Sequence, residues 1–162
     1  MKGRLASALL VLCAVGCATR TVSIPDSLKP APDESLAMVV PAKGVQIYEC
    51  RVGQWAFVAP EAELFDRGGN RIGRHYAGPH WEADDGSKIL GTPKARAQAP
   101  MAGAIPWLLL EAKSVGGEGV LSRVTSIQRV ATAGGVAPAG TCAESGARSR
   151  VGYTADYYLY FR

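Results

Sequence analysis

From Gly44 onward the chain alternates apolar and polar positions and breaks, at a spacing of about 8 to 12 residues, on glycine, proline or Asx turns. Val45-Gln46-Ile47-Tyr48-Glu49-Cys50 has a period of two, Gln54-Trp55-Ala56-Phe57-Val58 is aromatic and β-branched, and Glu63-Leu64-Phe65-Asp66 runs into the turn Arg67-Gly68-Gly69-Asn70. Such segments predict short strands. Arg71 to Ala77 and His80 to Asp84 continue the series, and Asp85-Gly86 is a hairpin signal because both residues tolerate positive φ. Trp107-Leu108-Leu109-Leu110-Glu111-Ala112-Lys113 is an unbroken apolar run that would suit a helix start after Pro106. The closing Gly116-Gly117-Glu118-Gly119 and the β-prone stretch Val120 to Val130 favour a buried strand instead. The aromatic segment Val151 to Arg162 predicts a last strand with partners on both sides, since a bare aromatic edge invites aggregation. The expectation is an all-β domain, a sandwich or partly closed barrel of roughly eight to ten short antiparallel strands.

The start of the chain reads differently. Met1-Lys2-Gly3-Arg4 is a positive stretch, and Leu5 to Val15 is an apolar run about half the length needed to cross a bilayer. It closes on Ala14-Val15-Gly16-Cys17, which resembles a bacterial lipobox, with Leu12 too bulky to make Cys13 the modified residue. Residues 1–16 are therefore expected to be a lipoprotein signal peptide. Cys17 would carry acyl chains that bind it stably to a membrane. Ala18 in place of Asp points to the outer membrane of a cell envelope, on the periplasmic side. Residues 17–43 carry Pro25, Pro30, Pro32 and Pro41, too many for a helix or a central strand, and are expected to form a tether. Leu36 to Val40 is apolar enough to pack against the domain, expected over residues 44–162.

Composition narrows the function classes. At 162 residues the chain holds one core, and 48% hydrophobic against 20% charged residues is the balance of a globular protein. The net charge of +4 includes Lys2 and Arg4 of the leader, and the remaining cations are scattered among acids, so no nucleic-acid partner is expected. Two of the four cysteines lie in the domain, Cys50 and Cys142. In an exported protein an even pair predicts a disulfide, here joining the first strand to the loop before the last.

The domain also carries a set of motifs in a fixed order. They are Gly44-Val45-Gln46-Ile47-Tyr48-Glu49-Cys50, Trp55 with Ala59-Pro60-Glu61-Ala62, and Gly73 with His75-Tyr76-Ala77-Gly78-Pro79 and Trp81-Glu82. Asp85-Gly86-Ser87, Ile105-Pro106-Trp107-Leu108-Leu109, Ile127-Gln128-Arg129-Val130 with Gly134-Gly135, and Tyr153-Thr154-Ala155-Asp156-Tyr157-Tyr158 complete it. Over residues 43–161 this resembles the family called domain of unknown function 3455. The resemblance implies a fold unit and assigns no activity or catalytic residue. A dehydrogenase reading finds no support, because neither glycine cluster forms Gly-x-Gly-x-x-Gly between a strand and a helix.

Candidate chemistry concentrates between His75 and Ser87. His75, His80 and Glu82 are the donors of a zinc or copper site, and a turn at Gly78-Pro79 would bring the imidazoles together, although their spacing matches no ligand motif. Glu82 and Asp84 share a strand face at a separation that acid/base hydrolysis uses, a common coincidence. Serines 87, 114, 122 and 126 lack a nucleophile elbow, so no catalytic residue is assigned. Trp55, Trp81, Trp107, Tyr153, Tyr157, Tyr158 and Tyr160 either fill the core or line a pocket, with Trp81 the best placed for a ligand. The expected function is non-catalytic binding of a small molecule or an envelope protein through His75, Tyr76, His80, Trp81, Glu82 and Asp85, with no cofactor. The alternative is a metal-dependent or hydrolytic envelope enzyme using His75, His80 and Glu82.

Overall fold

The computed structural model describes residues 23–162, so the leader and Cys17 lie outside the described residues. Eight strands form one closed antiparallel barrel, each pairing with its neighbours in chain order and β8 closing on β1. They are β1 (Ser35–Arg51), β2 (Gln54–Phe65), β3 (Arg71–Tyr76), β4 (His80–Ala83), β5 (Lys88–Ala97), β6 (Trp107–Gly116), β7 (Val124–Gly134) and β8 (Arg148–Phe161). The run after Pro106 is β6 and the last strand lies between β1 and β7, as expected, whereas the two short strands expected at 54–58 and 63–66 are one continuous strand, β2, and β5 was not foreseen. The period-two pattern turns alternate side chains inward.

The expected boundary between Lys43 and Gly44 falls inside β1, so residues 35–43 are barrel wall and not tether. Pro41 is tolerated there because it pairs with Asp156 of β8 below the point where the β1–β2 register begins, at Ala42↔Leu64. Upstream, Ile24 and a short 3-10 turn, Asp26–Leu28, cross the outside of the barrel. Leu28 is fully buried there against Trp107, Val130 and Ala99. The Gln128 amide donates to the Leu28 carbonyl and accepts from the Tyr160 hydroxyl at 2.6 Å, so strap and wall share one polar network.

The two ends of the barrel differ. One end is packed with Val40, Leu64, Ala83, Ile89, Leu121, Val124 and Ile127. Leu121 reaches it from the β6–β7 loop, which is pinned to the β4–β5 turn. The Asp85 carboxylate accepts from the Ser87 hydroxyl at 2.6 Å and the Val120 N–H at 2.8 Å, and Ser87 Oγ accepts from the Leu121 N–H. At the other end the hairpin β3–β4 stops short. β2 pairs with β3 only from Ala62 to Phe65, and β4 reaches β5 only as far as Leu90. The far halves of β2 and β5 therefore face each other unpaired, leaving a window in the wall beside the turn Ala77–Pro79. The Cys50–Cys142 disulfide fastens the β7–β8 loop across this end.

Candidate functional site

Inside the window the barrel is hollow. A cavity of about 270 Å³ lies between β2, the cis Gly78-Pro79 turn, β5, β6 and β7. Its walls are Phe57, Val58, Pro60, Pro79, Pro93, Leu108 and Leu110, and its polar lining is Gln46, His75, Trp81, Arg129 and Tyr157. A shallower groove runs out from it beneath Lys94, Arg96, Ile105 and Pro106, sharing Gln46, Phe57, Pro93, Leu108 and Arg129.

Each polar residue is set by strand parity. His75↔Trp81 are cross-strand partners on β3 and β4, and their rings stack with centroids 4.1 Å apart. Arg129↔Tyr157 are partners on β7 and β8, and Tyr157 meets the edges of both stacked rings at 5.2 Å. Gly91 makes room for the indole, since a Cβ there would lie 2.7 Å from the Trp81 ring. The Tyr153 hydroxyl sits 3.3 Å from that of Tyr157.

Protonation follows from burial. His75 is pushed down to about 3, chiefly because the imidazolium would lose its hydration, so the ring is neutral at physiological pH. Its Nδ1 lies 2.8 Å from the His80 carbonyl, which places the proton on Nδ1 and leaves Nε2 an acceptor. Burial likewise raises the Tyr153 and Tyr157 hydroxyls, keeping both as neutral donors. Arg129 donates from Nε and Nη2 to the Pro106 carbonyl, at 3.1 and 2.8 Å. Among the described residues no carboxylate lies within ion-pair distance of it. Two buried N–H groups of the lining, Gln46 Nε2 and Trp81 Nε1, have no hydrogen-bond partner.

The residues singled out in the sequence are divided by this geometry. His75 and Trp81 face the cavity. Tyr76, His80 and Glu82 lie on the opposite, outer face, where Tyr76 and His80 stack and the Tyr76 hydroxyl donates to Glu82 at 2.6 Å. That bond, with Arg74 and Lys88 beside it, holds the Glu82 carboxyl down to about 2. His80 Nδ1 is within 2.6 Å of the Ala77 carbonyl. The imidazole of His75 and the donors His80 and Glu82 do not converge, and no group of three metal-ligating side chains occurs among the described residues. Asp85 is at the opposite end of the barrel, in the staple.

Gln46, Arg129 and Leu108 escaped the sequence reading as cavity residues, although each stood within a quoted motif. For Gln46 the available signal was parity, since it shares a face with Tyr48 and Cys50; for Arg129 alternation gave none. Cys50 and Cys142 form the expected disulfide. No curated protein and no solved structure matches the chain. The family described as protein of unknown function DUF3455 matches residues 30–161, from the strap through β8, and the chain belongs to that family.

Proposed function

We propose that the domain is a non-catalytic binding barrel for a small molecule, held at the cell envelope by a lipid on Cys17. The observation that carries this is the hollow behind the window, where apolar walls surround two buried N–H groups without partners. Native interiors satisfy their buried polar groups, so two unpartnered N–H groups on residues that line a cavity suit a ligand that supplies acceptors. The disulfide fits an oxidising compartment, as does the leader pattern ending at Cys17. The enzyme alternative is the weaker reading, because His75 is inside the wall while His80 and Glu82 are outside it.

Two experiments test the proposal. Native mass spectrometry of the envelope-extracted protein should show a small-molecule adduct that is lost on denaturation and absent from Leu108→Trp, which fills the hollow. An adduct retained by that variant would place binding elsewhere. Cys17→Ala should move the protein from the membrane to the soluble envelope fraction, and unchanged membrane retention would reject the lipid anchor.

A further inference from the structure

Among the described residues, Arg129 is a half-buried cation of the cavity lining with no carboxylate at ion-pair distance. Many of the other cations meet carboxylates on the outer face, as in Arg74–Glu82, Arg71–Asp84 and Arg150–Glu61. Arg129 instead points inward from β7, half-buried, with a backbone carbonyl as its acceptor. Neither the cavity nor the adjoining groove has an Asp or Glu in its lining, and the groove adds Lys94 and Arg96 at its rim. Lys94 has Glu111 at 3.2 Å, whereas Arg96 has no carboxylate within ion-pair distance among the described residues. The hollow is thus a positive one. Two of its neutral residues, Gln46 and Trp81, also carry unpartnered N–H groups.

A half-buried guanidinium without a counter-ion is incompletely compensated, and an anion would complete it. The carbonyl of Pro106 uses Nε and Nη2, which leaves Nη1 for it. The apolar walls and the flat stacked pair His75–Trp81 suit a planar hydrocarbon body. We infer that the barrel binds small organic carboxylates with a flat apolar body, the carboxylate on Arg129 and Gln46 and the body between Trp81, Leu108 and Pro79. This rests on the cavity being a ligand site and specifies which ligand class it takes. A cavity of about 270 Å³ has room for about nine waters at ~30 Å³ each, which limits the body to one or two fused rings.

The test compares 2-naphthoate with 2-naphthamide, which share shape and differ in charge. The full chain is used, exported and oxidised, with Cys17→Ala so that no detergent competes. Titration calorimetry should give at least tenfold tighter binding of the carboxylate, as a charge-assisted hydrogen bond predicts. Arg129→Gln should reduce that preference below threefold, and Arg129→Lys should retain part of it. If Arg129→Gln fails to fold, Gln46→Glu, isosteric and supplying an internal anion, should weaken naphthoate binding at least tenfold more than naphthamide binding. Equal binding of both probes to the unsubstituted protein overturns the anion preference and leaves the binding barrel standing. Binding of neither, at concentrations where both are soluble, overturns the two together.

Discussion

His75 ties the cavity to the acidity of its surroundings. Its folded pKa of about 3 lies below the ordinary 6.5, so as pH falls below 6.5 the unfolded chain takes up a proton that the folded chain refuses. Stability from this residue is complete above pH 6.5 and is lost as pH falls toward 3. At about 1.4 kcal/mol per unit, going from pH 6.5 to 4.5 removes about 2 to 3 kcal/mol. Urea unfolding at pH 7.5 and 4.5 should show that His75→Gln loses less stability than the unsubstituted chain by this amount. Equal losses would mean that the imidazole is not a buried neutral group. Gly91 offers a second handle: a Cβ 2.7 Å from Trp81 would push the indole into the hollow. Gly91→Ala should cost about 1 to 3 kcal/mol in urea unfolding and weaken ligand binding along with it. The sequence exposed Trp81 as a candidate because a tryptophan beside Gly-Pro is conspicuous. It hid Arg129, since Ile127-Gln128-Arg129-Val130 places one apolar and one polar side chain on each face and alternation cannot say which face is inner.

At the scale of elements, turn chemistry was more legible than strand limits. Asp85-Gly86 marks the β4–β5 turn, with Gly86 at φ 87°, and Gly116-Gly117 marks the end of β6. β1 was underread by nine residues, Ser35 to Lys43, because prolines argue against strands and the release at Pro41 depends on where a different strand, β2, begins. The apolar stretch read as packing against the domain, Leu36 to Val40, lies in β1, and the strap itself was not legible. Its anchor, Leu28, covers the outer side of Trp107 and Val130, and a sheet face that needs covering is invisible until the barrel closes. Leu28→Ala should cost about 2 to 5 kcal/mol in urea unfolding, the range for truncating a fully buried leucine. A cost under about 1 kcal/mol would mean that the strap is not docked in solution.

For the whole molecule, length and turn spacing led to the right class, while closure of the sheet depended on β8 returning to β1 across the longest register in the fold, Ser35↔Phe161 to Glu49↔Arg148. The disulfide secures that closure by linking positions 92 residues apart. On the chain-entropy account its loss destabilises by about 4 to 5 kcal/mol. Thermal unfolding with and without reductant should show a large downward shift in Tm, and an unchanged Tm would show that the bridge is dispensable. The hollow itself is a property of this scale: eight strands give an interior that side chains just fill or that keeps room for one small molecule, and here one end is packed while the windowed end leaves a cavity of about 270 Å³.

The short β3–β4 hairpin has a further consequence. The wall beside the window consists of two strand halves with free backbone groups, a template on which another chain's strand would readily add. Pro60 stands in one of these halves and Pro93 in the other. Each lacks an N–H and interrupts the ladder that an incoming strand would need. The prolines keep the gap from being zipped shut by a second molecule, so the unpaired stretch of wall does not become a seed for fibres.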